Sequence, residues 1–216
     1  MTWEMLAPGI YKGTPGEQKD EELELRVKLS NIPLATVKTH RLETWQHRGT
    51  EPWWPGVTQY ADGSYGHPFL TLLGTVGTGK THIAFAVGWA WLGSGRSVLY
   101  YQVENLLDAL RRGYSSWQKG DPEGYDNTLQ FTQNVSLLIL DDFGAQHETE
   151  WAASKLEQIV DYRYINKKPL IATTNLALNR LPARIADRLG EGVLVQLTGE
   201  SFRKQRKASG SVRREE

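Results

Sequence analysis

Regular alternation of apolar and polar positions begins at Phe69. The run FLTLL (69–73) reads as a buried strand, followed by a glycine-rich turn and then apolar positions Ala84, Val87, Ala90 and Leu92 at helical spacing. Gly93-Ser94-Gly95 stops that helix. SVLYYQ predicts a second strand, and VENLLDALRRGY predicts a helix with Val103, Leu106, Leu107 and Leu110 on one face. After a polar stretch broken by glycine and proline, Val135 to Leu140 forms a third apolar run that ends in Asp141-Asp142. Trp151, Leu156, Ile159, Val160 and Tyr164 then suggest a helix, PLIATTN a fourth strand and VLVQL a fifth. Strands alternating with helices over this length predict an α/β fold with a parallel sheet covered on both faces.

The chain before Phe69 is less regular. A Pro/Gly opening and the charged run Glu17 to Arg26 precede loosely spaced Leu29, Ile32, Leu34 and Val37, which predict an arm with at most one short helix. Trp45 to His67 carries Pro52, Trp53, Trp54, Pro55, Gly56, Gly63 and Gly66, a composition of turns and extended segments with aromatic anchors. The expected division is therefore an N-terminal arm at 1–42, a main domain at 43–200 and a basic tail at 201–216.

Composition narrows the setting. With 216 residues and 39% hydrophobic content the chain suffices for one main core. Its 25 basic and 25 acidic residues balance, so any electrostatic partner must be argued from local charge. The absence of cysteine excludes disulfides, thiolate zinc sites and cysteine nucleophiles, and suits a reducing compartment, the cytoplasm. No run approaches the roughly 20 apolar residues that span a bilayer, so no membrane role is expected. The five histidines lack metal-ligand spacing.

The chemistry concentrates at Gly74-Thr75-Val76-Gly77-Thr78-Gly79-Lys80-Thr81, which satisfies G-x-x-x-x-G-K-[ST] between a predicted strand and a predicted helix. Such a loop turns backbone amides inward around phosphate oxygens, and the helix starting near Lys80 adds its positive dipole end. Lys80 supplies a charge near the β and γ groups, and Thr81 a hydroxyl for Mg2+. A dinucleotide fingerprint is excluded, because His82 stands where a third glycine would be needed. LLILDD (137–142) then delivers two carboxylates to a strand end, with Asp141 placed to hold the Mg2+ shell. Alone, such a pair would read as a helix cap or a turn; the upstream phosphate loop favours the catalytic reading. Asn175, after the fourth strand, is suited to touch the γ-phosphate or the attacking water, although asparagine there is also an ordinary turn residue. Arg184 and Arg188 share a helical face, in itself the mark of a solvated surface.

The succession GTVGTGKTHIA, SVLYYQVENLLDALR, LLILDDFGAQHETEW, IVDYRYINKKPLIATTNL, RIADRL and GESFR resembles the ATPase domain of DnaC/DnaI-type replicative helicase loaders, within the AAA+ superfamily. The IstB-type transposition ATPases share most of these blocks. The resemblance implies a three-layer P-loop NTPase with a five-stranded parallel sheet and no C-terminal helical lid. It places Gly74 to Thr81 at Walker A, Asp141 and Asp142 at Walker B, and Asn175 at the sensor 1 position. Asp142 stands where AAA+ proteins usually carry glutamate, which implies slow hydrolysis. Arg188 matches the arginine finger that reaches a neighbouring subunit's ATP site, implying a homo-oligomer. Arg203 matches a further family arginine.

The implied cofactors are ATP and Mg2+, and the implied partners are single-stranded DNA and a replicative helicase. The chain has neither the cysteines nor the length of the loaders' separate helicase-gripping domain. For DNA, the candidate basic and aromatic groups are Lys38, Arg41 and Arg48 near Trp45, then Arg111 and Arg112 before Tyr114 and Trp117, then Arg203, Lys204, Arg206, Lys207, Arg213 and Arg214. Trp45, Trp53 and Trp54 read more readily as buried anchors than as stacking faces, and the tail equally as a solvated segment. A P-loop small-molecule kinase and a nucleotide-ordered binding module with little turnover are the remaining classes.

Overall fold

The computed structural model describes the backbone of residues 4–7, 10–12, 15–45, 51–118, 123–144, 149–199 and 201–202. Its centre is a five-stranded parallel sheet in the order β4-β5-β6-β3-β7, built from β3 (Phe69–Gly74), β4 (Val98–Gln102), β5 (Leu137–Phe143), β6 (Leu170–Thr174) and β7 (Val193–Leu197). A two-stranded antiparallel pair, β1 (Glu4–Ala7) and β2 (Ile10–Lys12), precedes it.

Because successive side chains of a strand point to opposite faces, the apolar runs separate into two cores. Leu70, Leu72, Val98, Leu137, Ile139, Ile171, Val195 and Leu197 pack on the face covered by α1 (Pro15–Leu29), α2 (Trp54–Asp62) and α3 (Lys80–Gly93). Phe69, Leu99, Leu138, Leu140, Leu170 and Ala172 pack on the other, against α4 (Val103–Gln118), α6 (Glu150–Ile165) and α7 (Ala183–Gly190). The result is the expected three-layer α/β/α arrangement. Burial on nearly every side of α3 explains why its sequence is apolar all round rather than striped.

Three segments are more regular than their composition predicts. Residues 15–29 form a fifteen-residue helix, and the chain just after it covers the β4 margin, where Ser30 O accepts a hydrogen bond from Tyr100 N at 2.7 Å. Within Trp45 to His67, Trp54–Asp62 is a helix, with Pro55 in its first turn and Gly63 at φ 93° ending it. Its buried Val57, Tyr60 and Ala61 gain enough from packing to override the weak local propensity. Trp91 Nε1 donates to Tyr60 O at 2.8 Å, and the Tyr60 hydroxyl donates to Leu170 O at 3.1 Å. Glu123–Asn134 is also a helix, α5, in the stretch read as polar and broken.

Among the described residues the most buried charged side chain is Arg163 of α6, at 0% exposure. Its guanidinium donates to Thr132 O at 2.8 Å, Gln133 O at 3.1 Å and Val135 O at 3.0 Å, at the end of α5, and also to Pro169 O just before β6. It fills the role of a C-terminal cap for α5, where a cation meets the negative end of the helix dipole. Burial lowers its pKa to about 10.

Candidate nucleotide site

The strand order places the ends of β3, β6 and β5 side by side, so the three sequence signals after those strands converge. The phosphate loop leaves β3, and Gly77 and Gly79 take φ of 86° and 96°, which an L side chain rarely adopts. At Gly79 a Cβ would also lie 2.6 Å from the Trp45 ring. Thr78 Oγ1 donates back to Thr75 O at 2.9 Å, closing the turn.

Lys80 is buried at 5% exposure. Its ammonium donates to Gly74 O at 2.8 Å, Thr75 O at 2.9 Å and Asn175 Oδ1 at 2.6 Å. The loop lysine that follows β3 and the residue that follows the neighbouring β6 are thus in direct contact. Thr81 Oγ1 lies 3.1 Å from both Asp141 oxygens. Asp141 also accepts from Thr173 Oγ1 at 2.6 Å and from the Tyr100 hydroxyl at 3.2 Å. Burial pushes its carboxyl above the usual range, and so does the charge of Asp142, while the hydroxyl donors pull it down. Oxygen donors from one carboxylate and one hydroxyl beside a phosphate loop fit a hard divalent cation such as Mg2+.

Asp142 takes φ 60° at a bulge: Leu140 pairs with Ala172 and Phe143 with Thr174, so one extra residue is accommodated between them. The bulge lets Asp141 stay buried while Asp142 is turned to a half-buried position, and Asp142 N donates to Thr173 Oγ1 at 3.0 Å. Two residues of this network, Tyr100 and Thr173, are not marked as site residues by the sequence motifs. Thr173 lies within PLIATTN, two positions before Asn175. Tyr100 is one of two tyrosines in the strand beside LLILDD, where it pairs with Ile139 two positions before Asp141.

An aromatic wall stands over the loop. Trp45, at 6% exposure, has ring centroids 5.6 Å from His82 and 5.6 Å from Phe202, and its Nε1 donates to Glu51 at 3.2 Å. Trp45 is therefore an anchor rather than an exposed stacking face. After β7 the chain returns across the loop, with Phe202 N donating to Gly77 O at 3.0 Å. Arg203 lies outside the described residues, as do Arg48 and the remaining tail cations. Lys38, Arg111, Arg112 and Tyr114 are exposed, and so is Arg41, whose side chain donates to Val37 O; Arg111 pairs with Asp108 at 3.2 Å.

His82 and His40 sit with ring centroids 4.7 Å apart, and His82 Nε2 lies 3.2 Å from Thr44 Oγ1. Burial lowers the pKa of both from 6.5, and for His82 the neighbouring His40 adds to the effect. Above about pH 6.5 both rings are neutral whether the chain is folded or not. Below it the unfolded chain takes up protons that the folded rings resist, so stability falls towards their lower folded pKa values. Thermal midpoints measured at pH 7.5 and 5.5 should show this loss, and a His82→Gln variant should show less of it. An equal loss in the variant would remove His82 from the account.

Arg188 is elsewhere, on α7. Its Nε lies 3.4 Å from Asp161 Oδ1, and its Nη1 lies 3.3 Å from both Asp187 and Glu191. Its guanidinium covers the Tyr164 ring at 4.2 Å. These contacts, made among the described residues, do not include the phosphate loop.

A glycine-rich loop between central strand and helix, an acidic strand end one strand removed and a polar residue between them define a P-loop nucleotide-binding protein with an AAA+ fold. Residues 67–210 match the IstB-like ATP binding protein family, and the chain belongs to it. It is 32% identical over 136 residues to the replicative helicase loader DnaC of Escherichia coli (strain K12), covering 60% of this chain and 54% of that one. A crystal structure of the DnaC helicase loader superposes with a TM-score of 0.61 at 21% identity, covering 75% of this chain and 98% of that one. The replication initiator DnaA bound to AMPPCP and single-stranded DNA superposes with a TM-score of 0.66 at 21% identity, over 81% and 55% of the two chains. The chain spans about half the length of the curated relatives it matches.

Proposed function

We propose that this chain hydrolyses ATP slowly and, as a homo-oligomer in the cytoplasm, helps place a replicative helicase on single-stranded DNA during replication. The observation that carries the reading is the joined network Lys80–Asn175 and Thr81–Asp141–Thr173 at the sheet edge. Residues 43–200 form the ATPase unit in this reading, 1–42 the arm and 201–216 a basic tail that meets DNA phosphates.

Gly74 to Thr81 wraps the triphosphate through backbone amides, and Lys80 brings positive charge to the transferring group. Thr81 and Asp141 would hold Mg2+, which supplies charge neutralisation to the phosphates when bound. Asp142 orients or deprotonates the attacking water, and Asn175 fixes the lysine that faces it. Arg188 completes a neighbouring subunit's site, and Arg203 meets nucleotide.

Mobility shift with single-stranded and duplex DNA, with and without ATP, tests the proposal. ATP-dependent preference for single strands supports a loader. The match to IstB-like proteins supports a second reading, a transposition helper, for which duplex DNA would be preferred. Indifference to DNA together with phosphorylation of a small molecule would sink both. Arg188→Ala is expected to keep ATP affinity within about threefold while lowering hydrolysis about a thousandfold or more, as for other trans arginines. Loss of ATP binding instead would end the trans assignment.

A further inference from the structure

Two arginines of α7 converge on one acid of α6. Asp161 Oδ2 lies 2.7 Å from Arg184 Nε, and its Oδ1 lies 3.4 Å from Arg188 Nε. The three residues differ in setting: the Asp161 side chain is 17% exposed and that of Arg188 27%, while that of Arg184 is 62% exposed. The remaining acids around Arg188, Asp187 and Glu191, are more open, at 68% and 45%. Beneath the guanidinium lies the Tyr164 ring, whose hydroxyl donates to Glu191. Arg188 is thus gripped at Nε by the most enclosed acid and along one face by a ring, while its Nη1 is turned to acids that solvent reaches.

An exposed arginine with surface partners would lose side-chain entropy when it reached a ligand, and such pairs are worth little by themselves. The arrangement here removes that cost in advance. Fixing Nε from behind and supporting the plane leaves the Nη end directed outward, the end that can meet a phosphate oxygen in a bidentate way. Asp187 and Glu191, being exposed, are readily exchanged for a more strongly charged acceptor.

We propose that Asp161 and Tyr164 are positioning residues for Arg188, holding its guanidinium ready for the triphosphate of an adjoining copy of this chain. The proposal rests on the trans reading of Arg188. Arg184 is the outer partner of Asp161 and has no share in this role.

A mixed-subunit ATPase assay separates the two claims. Acceptor subunits carry Arg188→Ala with an intact phosphate loop, and donor subunits carry Lys80→Ala with Arg188 intact. Mixing should restore hydrolysis, and failure to do so sinks the trans reading itself. Donors that also carry Asp161→Asn should restore about tenfold less at saturating ATP, with the acceptors' KM for ATP unchanged, because a misplaced group loses rate rather than binding. Tyr164→Leu donors, which keep the carboxylate, should show the same direction of change. Arg184→Ala donors, which break the 2.7 Å pair without removing Asp161, should restore fully. Full restoration by Asp161→Asn donors overturns the proposal while leaving the trans reading intact. Equal loss in the Arg184→Ala donors overturns it too, since the effect would then be loosened packing of α6 on α7.

Discussion

Lys80→Ala is expected to abolish measurable ATP binding while leaving a folded chain. The ammonium is held by three oxygens that belong to the loop and to Asn175, so its position is fixed before any ligand arrives. A hydrogen bond to a charged group contributes about 1.5–3 kcal/mol, and the lysine makes more than one to the phosphates in this fold class. Loss of about 3 kcal/mol corresponds to more than a hundredfold in Kd. Isothermal calorimetry with ATP and Mg2+ reads this directly, and a heat of association within a few-fold of the parent chain would refute the assignment of the loop. The substitution also frees Gly74 O and Thr75 O at a half-open site where water can replace the ammonium, so stability should change little.

Arg163→Met is expected to have the largest effect on stability. It retains much of the length of the side chain but withdraws the donors from the carbonyls that end α5 and precede β6. A buried carbonyl left without its donor costs about 1–3 kcal/mol, so losing the whole set costs about 3–5 kcal/mol, and for a chain of this size each kcal/mol moves Tm by roughly 2–4 °C. A fall of about 6–20 °C in the thermal midpoint follows, with ATP affinity of the remaining folded protein unchanged. A shift under about 2 °C would mean that solvent or a rearranged loop satisfies those carbonyls. Arg163→Lys should recover only part of the loss, because a single ammonium cannot reproduce the fork of a guanidinium.

The sheet was legible because buried parallel strands are short apolar runs and the runs from FLTLL to VLVQL are bounded by turn residues. The phosphate loop and the acidic pair were legible because their chemistry depends on local spacing. Other features were not. The helix at Trp54–Asp62 is held by what Tyr60 and Val57 meet across the fold, which Pro55, Gly56 and Gly63 conceal in sequence. Arg163 looks like one more charge in the surface series of α6, and only the end of α5 gives it a reason to be inside. Tyr100 reaches Asp141 because β4 pairs with β5 in a register that brings Tyr100 opposite Ile139, and register is a property of the pair of strands. The acidic pair itself was read as a simple strand end, whereas a bulge separates its two members in burial and direction.

That bulge constrains which acids the site can use. At φ 60° aspartate, asparagine and glycine are tolerated far better than longer side chains. The backbone therefore favours a short carboxylate at 142 over a glutamate with its extra methylene. In the proposed cycle a shorter acid would set a clock: slow activation of the water would lengthen the life of the ATP-bound form, and the proposed assembly would keep its hold on DNA until a neighbour shortened the wait.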